Sequence, residues 1–238
     1  MKTVFGFLFA CAAVLAVAPS FAASPMIRVK ARLVAFDGSM MTLEPLPVAN
    51  APAGAPFVVF VLPQTRYVGS EKTGLDRIKP GDYAGAAVTE ARGGALRAQD
   101  VFLYDHALRG TGEGRFPESG RVMVNGTVSA AQADAKQGGT MTLHYRGAVL
   151  SGLGRGRTLC EGRASPPAFA SALACEGDAI ITVSTATPVS VLTVGDKSLL
   201  VPGALVTVTM TKGPDDKNVT PGLVVEKPVT VEKPQSLP

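Results

Sequence analysis

The chain repeats itself once, loosely. Met41-Thr42-Leu43 returns as Met141-Thr142-Leu143, and Lys79-Pro80-Gly81 returns as Val201-Pro202-Gly203. The stretch from Val59 to Thr65 maps onto Ile181 to Thr187 with the same displacement of 122 positions that relates the two Pro-Gly turns. Self-similarity on this scale means one small unit used twice, and it constrains the architecture before any local propensity is weighed. A duplicated scaffold specifies a shape; chemistry has to be argued from the side chains grafted onto it.

The unit reads as all-β. Ile27, Val29, Ala31, Leu33 and Ala35 alternate with Arg28, Lys30 and Arg32, a period of two that predicts one buried and one wet face. Asp37-Gly38 predicts a hairpin turn into a return strand over Met40 to Glu44. Phe57 to Leu62 is a continuous apolar run, suited to a strand covered on both sides. Leu75 to Ile78 predicts one helical turn, Pro80-Gly81 a tight turn, and Tyr83 to Glu90 with Leu96 to Tyr104 a closing hairpin. The second copy runs in the same order, through Val122 to Val128, Thr140 to Tyr145, Ala179 to Ser184, Leu205 to Thr211 and Val219 to Glu226. Five strands with a short helical crossing between the third and fourth predict two tandem five-stranded OB-like small barrels, with an SH3-like barrel as the near alternative.

The expected organisation is a signal peptide over 1–22, barrel repeat 1 over 23–105, a Gly/Arg-rich connector over 106–120, barrel repeat 2 over 121–227 with an insertion at 146–177, and a Pro-rich tail over 228–238. Lys2, the apolar run Val4 to Val17 and the small residues of Ser20-Phe21-Ala22 form the pattern of a cleaved export signal and imply a periplasmic address. Lipidation at Cys11 is the rival reading. No later apolar stretch reaches the ~20 residues of a membrane span. The formal charge of +4 is a mild basic balance and no nucleic-acid footprint. Cys160 and Cys175 remain after cleavage, and two thiols in an exported chain are expected to pair as a disulfide.

The second copy carries Val124-Asn125-Gly126-Thr127-Val128, Thr142-Leu143, Thr187, Leu200-Val201-Pro202-Gly203 and Gly222-Leu223-Val224, and the first Thr42-Leu43, Thr65, Ile78-Lys79-Pro80-Gly81 and Ala98-Gln99-Asp100-Val101. These motifs resemble those of an uncharacterised bacterial exported family of tandem β-barrel repeats. The first copy departs by carrying Ala31 where glycine is usual. These are turn and core positions, so the resemblance implies a fold and an export route and carries over no activity, cofactor or catalytic residue.

No catalytic constellation is legible, and a non-enzymatic chain without cofactor is expected. The two histidines are His106 and His144, and no G-x-S-x-G elbow exists. Gly110 to Gly114 has the freedom of a phosphate cradle but no helix after Pro117, so it reads as an interdomain hinge. His106, Arg109, Glu113 and Arg115 in this connector are the candidate ligand-binding residues, because interdomain grooves are natural ligand sites. Met41, Met141 and His144 form the alternative, a soft-metal site of the copper type; the repeat equivalence of the two methionines argues for core packing instead. Arg28, Lys30 and Arg32 form a basic ridge that reads as solubility and edge protection. Its functional reading is an anionic envelope partner, and the expected role is binding or scaffolding in the cell envelope.

Overall fold

Strand formation follows the alternation. In β1 (Ile27–Phe36) Ala31 and Leu33 are fully buried while Arg28, Lys30 and Arg32 face out. A register shift between Leu33 and Ala35 then reverses the phase, so Ala35 is exposed and Phe36 packs on the core. The Asp37 carboxylate accepts the backbone N–H of Ser39 (2.9 Å) and of Met40 (2.7 Å), which closes the predicted turn into β2 (Met40–Pro45). The remaining strands are β3 (Phe57–Thr73), β4 (Tyr83–Glu90), β5 (Leu96–Tyr104), β6 (Gly114–Glu118), β7 (Arg121–Asp134), β8 (Gly138–Arg146), β9 (Glu176–Val183), β10 (Val189–Gly195), β11 (Leu205–Lys212) and β12 (Asn218–Glu226). Single 3₁₀ turns at Leu75–Arg77 and Lys197–Leu199 occupy the two expected crossings. The computed structural model describes residues 26–47, 54–91, 94–118, 121–134, 136–147, 176–213 and 215–227. The leader, the tail, most of the 146–177 insertion and both Cys160 and Cys175 lie outside these residues.

The protein is an all-β chain of small five-stranded barrels, but the barrels are not the repeats. One closed ring runs β1–β2–β3–β12–β11 and back to β1, with β3 and β12 parallel and the other pairs antiparallel. The other runs β7–β8–β9–β5–β4 and back to β7, with β9 and β5 parallel. Displacement by 122 positions turns β4 into β11 and β5 into β12. Each ring therefore takes three strands from one copy and its last two from the other. The expected barrels at 23–105 and 121–227 are corrected accordingly. The first ring, here the split barrel, is made of the two ends of the chain; the second, the continuous barrel, is the uninterrupted stretch 83–183.

The motif residues make their bonds across this exchange. Thr65 donates to the Thr220 carbonyl (2.7 Å), and its counterpart Thr187 donates to the Ala98 carbonyl (3.3 Å), each acceptor lying in the other copy. The Gly203 and Leu33 backbones pair in the split barrel (Gly203 N–H to Leu33 C=O, 2.7 Å) as the Gly81 and Val128 backbones do in the continuous one (2.8 Å). Both Pro-Gly turns thus clamp the first strand of the opposite copy.

The second half of β3, which is largely polar, and the whole of β10 were not expected as strands. They pair antiparallel from Tyr67↔Gly195 to Thr73↔Val189, centred on Ser70↔Leu192. Those two central residues are themselves repeat equivalents, so a pseudo-twofold axis passes between them. β10 also runs parallel to β5 from Val189↔Val101 to Leu192↔Tyr104, which joins the rings into one twelve-stranded sheet. What the exchange gains is this ribbon: a chain turning back into its own barrel after Ser70 would leave these seven backbone pairs as open edges.

Each ring encloses its own core. Leu33, Met41, Leu43, Val59, Val206 and Val208 fill the split barrel, and Val88, Val101, Val124, Met141, Leu143 and Ile181 are among those filling the continuous one. Full burial of side chains of this size stabilises by about 1.5–3 kcal/mol each.

Candidate ligand-binding cleft

The connector predicted as a hinge is stapled down. Asp105 accepts the His106 backbone N–H (2.7 Å) and caps a 3₁₀ turn at His106–Leu108. Arg109 donates to the Gly81 carbonyl (3.0 Å) and the Thr127 hydroxyl (3.3 Å), with its guanidinium 5.9 Å from the centre of the Tyr83 ring. The Asn125 amide donates to the Gly112 carbonyl (2.8 Å), and the Tyr83 hydroxyl to the Thr111 carbonyl (3.1 Å). Gly110, Gly112 and Gly114 all have positive φ, which bends the chain into β6; β6 then pairs with β7. The glycines serve a turn, not a hinge, and Arg115, buried with its guanidinium on Glu90, anchors the strand that follows.

Its purpose becomes clear from the ring. The connector joins β5 to β7, which belong to the same barrel, so it is an intrabarrel link and no hinge between units. Burial of Tyr83, reinforced by the negative charge of Glu113, pushes its phenol well above the ordinary range. Tyr83 packs against Tyr104 with ring centres 5.3 Å apart, and the Tyr104 hydroxyl reaches the Asn125 side-chain oxygen at 3.3 Å. Tyr104 is held in place from two sides.

This ordered wall borders a cleft of about 1200 Å³ between the barrels. Tyr104 and Phe102 from β5, Phe116 from β6, Met123 from β7 and Leu108 from the connector line the side of the continuous barrel. Arg28, Lys30 and Arg32 from β1 and Lys72 from β3 line the side of the split barrel, with Lys227 just beyond β12. Ser190 and Leu192 of the β10 ribbon lie between. The lining includes one further cation, Arg121, and two carboxylates, Asp100 and Glu226. Both carboxylates are committed to ion pairs, Asp100 with Arg121 at 2.9 Å and Glu226 with Lys30. Cations therefore exceed acids on this surface, and the low-dielectric walls concentrate the resulting field.

Met123 and Leu192 are each only 7% exposed, yet belong to neither barrel core. They were not legible as site residues. The available signal was Val101-Phe102-Leu103-Tyr104, apolar on both faces, which a strand with one wet face does not need. The basic ridge on β1 was legible; that it faces an aromatic wall was not.

The four predicted ligand-binding residues do not converge. Arg109 and Arg115 are bonded into the barrel, and His106 and Glu113 are exposed on either side of the connector turn. Among the described residues the cleft draws Leu108, Thr111 and Phe116 from this segment and none of the four. The methionine grouping is likewise separated: Met41 is sealed in the split core and Met141 in the continuous core. His144 lies on the outside of β8, its Nδ1 3.0 Å from Asp178 and its Nε2 3.9 Å from Glu176, which also pairs with Arg146. Among the described residues no group of three His, Cys, Asp or Glu is arranged to hold a metal ion. No helix among them is long and apolar enough to cross a membrane. No family model, curated protein or solved structure matches this chain.

Proposed function

We propose that this chain is an exported, non-enzymatic binding protein of the bacterial cell envelope, that each ring is an OB-type barrel, and that the interbarrel cleft holds an anionic ligand. The observation that carries the reading is a built concavity outside both cores, with an excess of cations on one wall and ordered aromatics on the other. Surface apolar residues gathered into a rimmed concavity mark ligand sites more often than incidental exposure. The strand order within each ring, with the third and last strands parallel, supports the OB-type assignment. The export part rests on the pattern of residues 1–22 and is checked by N-terminal sequencing: a start after Ala22 supports it, and a start at Cys11 replaces it with a lipoprotein.

The test of the site uses dextran sulfate as the anionic probe and hydrogen exchange as the readout. Exchange is expected to slow in β1, in the second half of β3 and in β5. Arg28→Gln with Lys30→Gln is expected to weaken binding at least tenfold. Protection confined to other surfaces overturns the reading, and so does a hydrolase activity abolished by replacing His106 or His144.

A further inference from the structure

The two cleft walls differ in chemistry, and the difference selects a class of ligand. A polyanion gains most from cations on every side, yet five of the six lining cations sit on elements of the split barrel. All three lining aromatics, Phe102, Tyr104 and Phe116, sit on the continuous barrel. Between them lie Met123 and Leu192, each 7% exposed and outside both core clusters. The sixth cation, Arg121, is paired with Asp100, as Lys30 is with Glu226, so the excess of positive charge lies on the wall of the split barrel.

Resting on the reading of this cleft as the ligand site, we propose that it binds single molecules of an anionic amphiphile. The acidic head, a phosphate, sulfate or carboxylate, lies on Arg28 and Arg32, and the hydrocarbon chain runs along Phe102, Phe116 and Met123. The cleft, of about 1200 Å³, has room for a chain-bearing ligand. The concavity also selects an extracted molecule over a membrane surface. The β3–β10–β5 ribbon holds the two walls together, and a planar bilayer does not enter a cleft lined from both of them.

Calorimetry on the purified full chain tests this with probes kept below their micelle-forming concentrations. Dodecyl phosphate is expected to bind at least tenfold more tightly than octyl phosphate, since a fully buried methylene is worth about fourfold in affinity. Inorganic phosphate and dodecyl maltoside are each expected to bind at least tenfold more weakly than dodecyl phosphate. Arg28→Gln with Arg32→Gln lowers dodecyl phosphate affinity about tenfold and leaves dodecyl maltoside unchanged. Phe102→Ala with Phe116→Ala flattens the dependence on chain length; should that variant fail to fold, the chain-length series on the unaltered protein decides alone. Equal binding of octyl and dodecyl phosphate, or of dodecyl phosphate and dodecyl maltoside, overturns the proposal. Binding to phosphatidylglycerol vesicles without binding of monomeric dodecyl phosphate overturns it as well. If the amphiphile series fails while dextran sulfate binding still drops in the Arg28/Lys30 variant, the cleft remains the site and its ligand is a polyanion. If no probe responds to any variant, both readings fall.

Discussion

The two barrels are made from equivalent strands, yet one is a single run of chain and the other is assembled from its two ends. In the continuous barrel β4, β5, β7, β8 and β9 follow one another, and the connector closes the gap between β5 and β7. In the split barrel Ile27 pairs with Met210, and the whole of the other barrel lies between them in sequence. Closing so long a loop costs only slowly more entropy with length once the ends are free. Here, however, the intervening chain has its own fold, and pairing at such separation is slow. The comparison teaches that the continuous barrel is the unit able to stand alone, and that the split barrel is completed against it.

The strongest way to break this comparison is to cut the chain. A fragment spanning residues 79–190 is expected to unfold cooperatively in urea by itself, whereas 26–73, holding only β1 to β3, shows no protected amides. A fragment of residues 26–105 that formed a closed monomeric barrel would show that the strand exchange is dispensable.

A single atom sharpens it next. Gly126 in β7 occupies the position that Ala31 holds in β1, two residues before the clamped Val128 and Leu33. A Cβ on Gly126 would meet the His144 carbonyl oxygen at 2.2 Å, with only backbone there to give way. Gly126→Ala is expected to destabilise by about 2–3 kcal/mol through overpacking. Ala31→Gly, at a fully buried site that already accommodates its methyl, is expected to cost about 1 kcal/mol. Chemical denaturation of both variants checks the order, and equal costs would mean that the two barrels pack these strands alike.

The smallest expected contrast is in pH. Asp37 and Asp196 are held below the ordinary carboxylate value of 3.8, Asp37 by the backbone N–H groups of Ser39 and Met40, Asp196 by the hydroxyl and the backbone N–H of Ser198. A carboxylate depressed in the folded state contributes stability that is present above its unfolded pKa and lost as pH falls through the folded one. Both serve the split barrel, at the β1–β2 turn and at the entry to β11. The phenols have the opposite sign: those of Tyr83 and, less strongly, of Tyr67 in the split barrel are raised by burial, and each contributes stability that is present below the ordinary value of 10.0 and lost as pH climbs above it. Amide exchange is therefore expected to loosen first in the split barrel on acidification below pH 3.8, and first around Tyr83 on alkalinisation above pH 10. Loosening of the same barrel at both extremes would remove the distinction.

Much of the local structure was legible. The β1 alternation, the Asp37-Gly38 turn and both Pro-Gly turns appear where residue chemistry puts them, because each depends on neighbours a few positions away. The second half of β3 and β10 were illegible for a physical reason: they pair with each other, with β12 and with β5, so their backbone partners all come from distant chain. The connector was misjudged because three glycines and several charges describe a turn and a loop equally well until Tyr83, Thr127 and Asn125 supply its partners. Of the candidate site, Arg28, Lys30 and Arg32 were visible as a ridge, while Met123 and Leu192 carried no signal that placed them at a site.

The residues alone determined that the chain is all-β, that its unit occurs twice, and where its turns fall. Tertiary structure alone decided which copy completes which barrel. The physical reason lies in the duplication itself: Thr65 and Thr187, and the turns at Gly81 and Gly203, present interchangeable bonds, so local chemistry is satisfied by either copy. The exchange goes together with the antiparallel ribbon of β3 on β10, which pairs strands of the two copies and joins the barrels beside the cleft.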